Sequence, residues 1–279
     1  MYSFGYVAVV GRPNAGKSSL VNALVGEKVA IVSAKPQTTR DNILGVMNGE
    51  KFQVVFVDTP GVHRSKNQLD RSMMKNVRSA IAGVDLILYL VDGTKEFDQE
   101  EQGYFNHLQG EKVLVKTKID KKVKDFPCDF EISSLTGKNL ENLKEYIIKK
   151  LPKSKEKNFL FDSDEYTDKS IKFLIAEQIR EEALKILDQE VPHGIAIEIV
   201  KFDEKENIVF IEADIVCEQA RHKGIIIGKG GKNLKIIGQN TRLYAEDLLG
   251  KKVMLSLFVK VEENWRNKPN KVKDLMSQG

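Results

Sequence analysis

The eight residues from Gly11 to Ser18, GRPNAGKS, constrain this chain more than any other stretch, because they fit the pattern GxxxxGK[ST] without a mismatch. The apolar, mostly β-branched run Tyr6-Val7-Ala8-Val9-Val10 before them reads as a buried strand, and Ser19-Leu20-Val21-Asn22-Ala23-Leu24 after them reads as an amphipathic helix. Strand, glycine loop and helix in that order make a cradle for a phosphate. Gly11 and Gly16 let the backbone of Arg12, Pro13, Asn14 and Ala15 wrap until its N–H groups point inward. The helix N-terminus at Ser18 and Ser19 adds its partial positive charge. Lys17 is then placed to reach the β- and γ-phosphates. Ser18 is placed to offer its hydroxyl to Mg²⁺, a hard cation that takes oxygen ligands.

A length of 279 residues predicts two domains, and 41% hydrophobic residues suffice for two ordinary cores. No apolar run approaches the ~18 to 20 residues that cross a bilayer, and the N-terminal MYSFGYVAVVG lacks a basic region before its apolar stretch, so a cytoplasmic location is expected. Cys128 and Cys217, the only two cysteines, form no ligand-spaced cluster; no disulfide partner and no zinc site are expected. The net charge of +4 is too small to identify a polyanionic partner, although its distribution is informative.

Downstream motifs name the ligand. The polar, proline-broken segment Lys35-Pro36-Gln37-Thr38-Thr39-Arg40-Asp41 reads as a loop, in which a threonine hydroxyl would complete the Mg²⁺ shell only while a γ-phosphate is present. Phe52 to Val57 reads as a strand ending in Asp58-Thr59-Pro60-Gly61, a DxxG pattern whose carboxylate holds Mg²⁺ through water and whose Gly61 offers N–H to the γ-phosphate. Two further apolar strands, Leu86 to Val91 and Lys112 to Lys116, imply a parallel sheet covered on both faces. The second leads into Thr117-Lys118-Ile119-Asp120, an [NT]KxD pattern. The Asp120 carboxylate can accept from both the ring N1–H and the exocyclic amine of guanine, donors that adenine does not present together, while the Lys118 stem lies along the base. Ser133-Ser134-Leu135 resembles the SA[KL] loop that closes on guanine O6 by a backbone N–H, with Ser134 in place of alanine.

In this order the motifs of residues 1 to about 150 resemble the translation-factor-related GTPases, in the branch that contains Era. That resemblance makes Thr39 the switch threonine and assigns Lys17, Thr39 and Gly61 to catalysis. It also likens Asn14 to the position that holds a potassium ion in related GTPases, against loop stabilisation as the competing reading. Ras-like enzymes carry after DxxG a glutamine that orients the attacking water; here Val62 stands in its place, so hydrolysis must be arranged otherwise.

The remainder reads as a second, α+β domain. A polar stretch from Pro152 follows a Lys-rich helix begun near Leu140. Asp168 to Glu190 then has helical apolar spacing, with Thr167 or Asp168 as its cap. Ile195, Ile197 and Ile199 share one strand face and Val209, Ile211, Ala213 and Ile215 another, joined by a polar loop at Asp203 to Asn207. Ile225-Ile226-Ile227-Gly228-Lys229-Gly230-Gly231 precedes a helix from about Lys232 to Leu249, a strand and a last helix. That order resembles a type II KH domain with Gly228 to Gly231 as its GxxG loop, where missing side chains let a single-stranded RNA backbone approach N–H groups at helix ends. Between Arg221 and Lys252 eight basic residues (Arg221, Lys223, Lys229, Lys232, Lys235, Arg242, Lys251, Lys252) face the acids Glu246 and Asp247. RNA contacts are expected from Arg221, Lys223, Ile227, the GxxG residues, Lys232 and Lys235. The single tryptophan, Trp265, is read as a packing anchor for the last helix.

The expected architecture is therefore an α/β P-loop GTPase domain with a mostly parallel sheet (1–151), a linker (152–166) and a type II KH domain with a C-terminal helix (167–279). Both resemblances together imply a monomeric switch that binds GTP or GDP with Mg²⁺, hydrolyses GTP, and binds 16S ribosomal RNA near its 3′ end during assembly of the 30S subunit. Peripheral association with the inner face of the membrane is a further implied property. Two other readings compete: a signalling GTPase whose basic domain binds anionic lipid, and a P-loop ATPase, which Thr117 to Asp120 disfavour.

Overall fold

The computed structural model describes all residues except 34, 36, 37, 63–66, 189 and 277–279. Pro36 and Gln37 of the expected switch loop thus lie outside the described residues. The chain divides into two compact units, Met1–Arg64 with Ser72–Asp168, and Ser65–Arg71 with Lys169–Gly279.

The first unit follows from its apolar runs. Strand β1 (Tyr2–Gly11) feeds the phosphate loop and helix α1 (Lys17–Val25). A hairpin of β2 (Ile43–Gly49) and β3 (Phe52–Asp58) comes next, then α2 (Gln68–Ile81, from Ser72 on in this unit), β4 (Leu86–Asp92), α3 (Gln99–His107), β5 (Lys112–Thr117), the short β6 (Phe130–Glu131) and α4 (Leu140–Lys150). The sheet order is β2-β3-β1-β4-β5-β6, parallel throughout except for β2. Successive strand residues point to opposite faces, and both faces are covered. Val7, Val9, Leu86, Leu88 and Leu90 join the α1 and α4 side with Leu20 and Leu143, while Ala8, Val10, Ile87, Tyr89 and Val91 join the α2 side with Val77. A doubly covered sheet of this kind presents its ligand site at the carboxyl ends of the strands, where the loops after β1, β3 and β5 meet.

The stretch read as a linker is laid onto this sheet. The short strand β7 (Lys153–Ser154) pairs antiparallel with the start of β1. The fully buried Gln53 amide accepts from Leu160 N–H (2.9 Å) and Phe161 N–H (3.2 Å) and donates to the Phe161 carbonyl (2.8 Å). Along the outer edge of β2, Val46 N–H donates to the Tyr166 carbonyl at 2.8 Å, Gly45 bridges Thr167, and Leu44 N–H donates to Asp168. Unpaired backbone groups on a sheet edge need partners, and this segment supplies them.

In the second unit, helix α5 (Ile171–Ile186) is capped by Ser170, whose hydroxyl accepts Phe173 N–H at 3.2 Å. The sequence reading put that cap at Thr167 or Asp168; both are instead engaged on β2. Strands β8 (Ile195–Glu204) and β9 (Ile208–Cys217) form the expected hairpin, longer than its apolar pattern by the turn-proximal residues. Helix α6 (Ala220–Ile227) ends at Gly228, α7 (Lys232–Leu249) begins after Gly231, β10 (Lys252–Val261) pairs parallel with β9, and α8 (Pro269–Met276) closes the chain. The isoleucine run expected to lead into the glycine loop is thus the last turn of a helix, with Ile226 fully buried and Gly228 N–H closing on the Gly224 carbonyl at 2.9 Å. Ile175, Ile179 and Ala183 of α5 pack over Ile195, Val209, Ile211 and Ile215. Trp265 is 1% exposed, and its indole N–H donates to the Gly194 carbonyl at 2.9 Å.

Candidate functional site

At the carboxyl ends of β1 and β3 the loop residues converge on a cleft of about 390 Å³ lined by Pro13, Asn14, Lys17, Ser18, Thr39 and Gly61, among others. Gly11 is required by close approach, since a Cβ there would stand 2.3 Å from the Leu90 carbonyl oxygen, and Gly16 adopts φ 91° as it opens α1. Lys17 is 6% exposed and its ammonium rests on the carbonyls of Gly11 (3.2 Å) and Arg12 (3.0 Å). Burial lowers its pKa to about 8, opposed by the charge of Asp58. A phosphate would take over from those two carbonyls and restore the ammonium's ordinary value.

Asp58 supplies the electrostatic centre. It is fully buried; Ser18 Oγ donates to its Oδ2 at 2.6 Å and Thr39 Oγ lies 3.4 Å from the same oxygen and 2.9 Å from Ser18 Oγ. The other oxygen, Oδ1, has no hydrogen-bond partner among the described residues. Burial raises this carboxyl to about 6, with the Ser18 hydrogen bond and Lys17 pulling it back. A buried carboxylate with one orphaned oxygen beside two hydroxyls is a donor set for a hard divalent cation, whose charge would offset the desolvation that now penalises the ionised form. Of the threonine pair, Thr39 is the one whose hydroxyl reaches Asp58, whereas Thr38 Oγ donates to the Lys35 carbonyl. The loop after Asp58 is stitched to the phosphate loop: Thr59 Oγ donates to the Val9 carbonyl at 2.7 Å, and Val62 N–H to the Gly11 carbonyl at 3.0 Å. Past Pro60, a Cβ on Gly61 would meet Pro13 N at 2.7 Å. Val62 itself packs against the apolar core with Ala8 and Val10.

The loop after β5 reaches the same place. Thr117 is 2% exposed and its hydroxyl bonds the carbonyls of Ala15 (2.8 Å) and Val91 (3.1 Å), so threonine retains the tie between phosphate loop and sheet that this position makes. Lys118, at φ 60°, sends its ammonium to the Asn14 carbonyl and to Asp92 Oδ2, both at 2.6 Å. Asp120 is exposed, and Ser133 Oγ donates to its Oδ1 at 2.5 Å, which holds the carboxyl below its ordinary value and aims it outward. Ser133 is fully buried, Ser134 half-buried and Leu135 exposed, leaving the backbone of that loop open on one side. Sequence reading missed Asp92, which ends β4 and pairs with Lys118; a lone carboxylate at a strand end carries no motif. Arg12 uses its side chain away from the loop. It was expected among the nucleotide-binding residues, and its guanidinium is turned onto α3, where it meets Asp98 at 2.7 Å.

In the second unit, Gly228, Gly230 and Gly231 all have positive φ (74°, 61° and 77°), and a Cβ on Gly230 or Gly231 would stand in open space. Asn233 Nδ2 donates to the Ile225 carbonyl at 2.9 Å and closes the turn. Beside it runs a groove of about 670 Å³ with Leu234, Leu255 and Leu257 as its apolar floor, and Lys235 and Arg242 on its rim. Arg221 and Lys251 of the basic set are held by Glu190 and Glu204. Gly238, Gln239 and Arg242 belong to the groove although no motif singled them out as contacts. Among the described residues no cluster of three or more His, Cys, Asp or Glu side chains is built for a metal, and no helix is long and apolar enough to cross a membrane. Both cysteines are free.

A family model described as "50S ribosome-binding GTPase" matches residues 6–119, and one described as "KH domain" matches residues 190–266. A GTPase Era of Alkaliphilus metalliredigens is 42% identical over 98% of each chain, and one of Clostridium perfringens is 40% identical over 99% of this chain and 98% of its own. Among solved structures, Era in complex with MgGDPNP and nucleotides 1506–1542 of 16S ribosomal RNA superposes with a TM-score of 0.91 at 34% identity, covering 99% of both chains. An Aquifex aeolicus Era variant bound to GDP·AlF₄⁻ matches equally, with a TM-score of 0.91 at 34% identity over 98% of both. A phosphate cradle fused to a glycine-loop groove, shared along the whole length with these relatives, places the chain in the Era family of GTPases.

Proposed function

We propose that this GTPase is a nucleotide-controlled RNA-binding switch. It binds GTP with Mg²⁺ in the first unit and 16S ribosomal RNA near its 3′ end in the second, and it acts in assembly of the 30S subunit. The observation that carries this reading is that the solved relative matching 99% of the chain holds both ligands at once. Ser18, Thr39 and Asp58 would hold the metal, and Lys17 the β- and γ-phosphates. Bound Mg²⁺ supplies charge that neutralises the phosphate oxygens. Backbone N–H groups of the phosphate loop and of Gly61 orient the γ-phosphate, while Thr117, Lys118, Asp120 and the loop at Ser133, Ser134 and Leu135 select guanine. Val62, half-buried against the core, has no side-chain hydrogen-bonding group with which to orient water at the position after Gly61. Turnover of the isolated protein is therefore on the order of 10⁻⁴ to 10⁻² per second, and a potassium ion at Asn14 would raise it. Equal single-turnover rates in potassium and sodium at matched ionic strength would remove that ion.

Functionally the domains run 1–151 and 167–279, with 152–166 between them, and the protein acts as a cytoplasmic monomer. RNA enters the groove along Arg221, Lys223, Ile227, Gly228, Lys229, Gly230, Gly231, Lys232 and Lys235. Crosslinking to cellular RNA with a GTP analogue bound tests this. Recovery of the 16S 3′ end on peptides from residues 221–252 is expected. Recovery of unrelated RNA, together with flotation on anionic liposomes, overturns it in favour of a lipid-binding surface.

A further inference from the structure

One side chain of the phosphate loop is spent on a distant element. The Arg12 guanidinium takes Asp98 in bidentate fashion (Nη1 to Oδ2 2.7 Å, Nη2 to Oδ1 2.9 Å) and adds Glu100 at 3.1 Å and Glu101 at 3.7 Å. Asp98 is fixed in turn, because it caps α3 and accepts Glu101 N–H at 2.9 Å. Inward of this clamp, the Arg12 carbonyl receives both the Lys17 ammonium at 3.0 Å and Ala15 N–H at 3.2 Å. The other anchors of the loop, Lys118 on the Asn14 carbonyl and Thr117 on the Ala15 carbonyl, belong to the guanine side. Besides the backbone tie from Val62 N–H to the Gly11 carbonyl, Arg12 joins the first turn of the loop by its side chain to α3, an element that carries none of the guanine-recognition residues.

We infer that Asp98 is a positioning residue for nucleotide binding: through Arg12 it holds the first turn of the phosphate loop in the shape that receives phosphates. This rests on reading Gly11 to Ser18 as the GTP site. A loop that carries positive φ at Asn14 and Gly16 has less strained alternatives when empty, and a bidentate guanidinium–carboxylate pair supplies the directional restraint against them. The restraint acts on the loop before any nucleotide arrives. It therefore affects GDP and GTP alike and leaves base choice and the chemical step alone.

The pair is 30% and 48% exposed, so its removal weakens binding by a single-digit factor, about fivefold. Asp98→Asn keeps the cap, because an Asn side-chain oxygen accepts the same N–H. The test measures Kd for GDP and GTP, KM, kcat and the preference for GTP over ITP in Asp98→Asn, Arg12→Gln and the double variant. Expected are equal rises in Kd for both nucleotides and in KM, kcat within about twofold of the parent, unchanged base preference, and a double variant no weaker than the worse single one. Unchanged Kd in folded Asp98→Asn overturns the inference. So do additive losses in the double variant, because Asp98 would then act on stability without Arg12. Lys17→Ala is the control: if it still binds GTP as tightly as the parent, the phosphate site itself is misassigned and the clamp has nothing to position.

Discussion

The phosphate loop and the GxxG loop are both glycine turns that open a helix, α1 after Gly16 at φ 91° and α7 after Gly231 at φ 77°, yet they get their shapes in opposite ways. The first is held from outside, by Thr117, Lys118 and Arg12, around a buried lysine and a buried carboxylate. The second is held by its own turn, with Gly231 N–H closing on the Gly228 carbonyl at 3.0 Å and open space where Cβ atoms on Gly230 and Gly231 would stand. A site built from buried polar groups carries a desolvation cost that only its ligand relieves, so its stability and its chemistry are coupled. A site built from exposed glycines and lysines carries almost none, and its function can be removed with the fold left standing.

The sharpest way to break that contrast is Lys17→Ala. Turnover should fall by about 10³-fold or more, since the ammonium stabilises phosphoryl oxygens in ground and transition states; single-turnover hydrolysis reads it. Asp120→Asn comes next. Exchanging an acceptor for a donor at the purine edge should shift preference from GTP toward xanthosine triphosphate by about 10²- to 10³-fold, with competition binding as the measurement. In the other unit, Lys229→Asp with Gly230→Asp sets two carboxylates against a polyanion and should weaken RNA binding by about 10²-fold at physiological salt. Aspartate tolerates the φ of 61° at Gly230 better than most residues do, so melting and GTP affinity should stay near the parent's. A folded double variant that binds the RNA normally means that the groove works without its loop.

The smallest effect concerns Glu101, which is 3% exposed and raised by burial from 4.5 to about 7. An acid whose folded pKa lies above its unfolded one keeps an extra proton in the folded state between the two values. The first unit therefore loses stability as pH climbs from about 4.5 to about 7 and loses no more above that. Glu101→Gln should flatten this slope and stabilise the protein by about 1 to 2 kcal/mol at pH 8, allowing for partial solvent screening. Urea midpoints at pH 5 and pH 8 read the difference, and parallel curves for parent and variant would exclude Glu101 as its source.

What could be read in the sequence follows the same division. The residues proposed to touch phosphate, metal and base lie in short motifs, because each must supply a fixed atom at a fixed step from a strand end; the motifs Gly11 to Ser18, Asp58 to Gly61 and Thr117 to Asp120 were all legible. The residues that hold those motifs in place were not. Asp92, Asp98 and Glu101 act over 26, 86 and 89 positions of sequence separation, on Lys118 and Arg12, and no local pattern marks such a pair. Strand β2 went unread because Ile43 to Gly49 carries two glycines and an asparagine in seven residues, and its place at the sheet edge depends on the chain that later covers it. Helix α6 ends in three consecutive isoleucines whose β-branched run gave no element of its own in the sequence, and the Gly228 turn and the buried side of Ile226 define it through packing. The start of α5 was misread for a related reason: two plausible caps were already committed to β2.

The segment laid across β2 and β3 also decides where this protein can be cut. A fragment ending at residue 151 would strip the antiparallel partner from Gly45 and Val46 and leave the Gln53 amide, now fully buried, facing a vacated slot. What remains is a flat, two-sided invitation to a second copy of itself. The smallest well-behaved nucleotide-binding piece therefore runs through Asp168, and a shorter one should be recovered as oligomers or precipitate even with every catalytic residue intact.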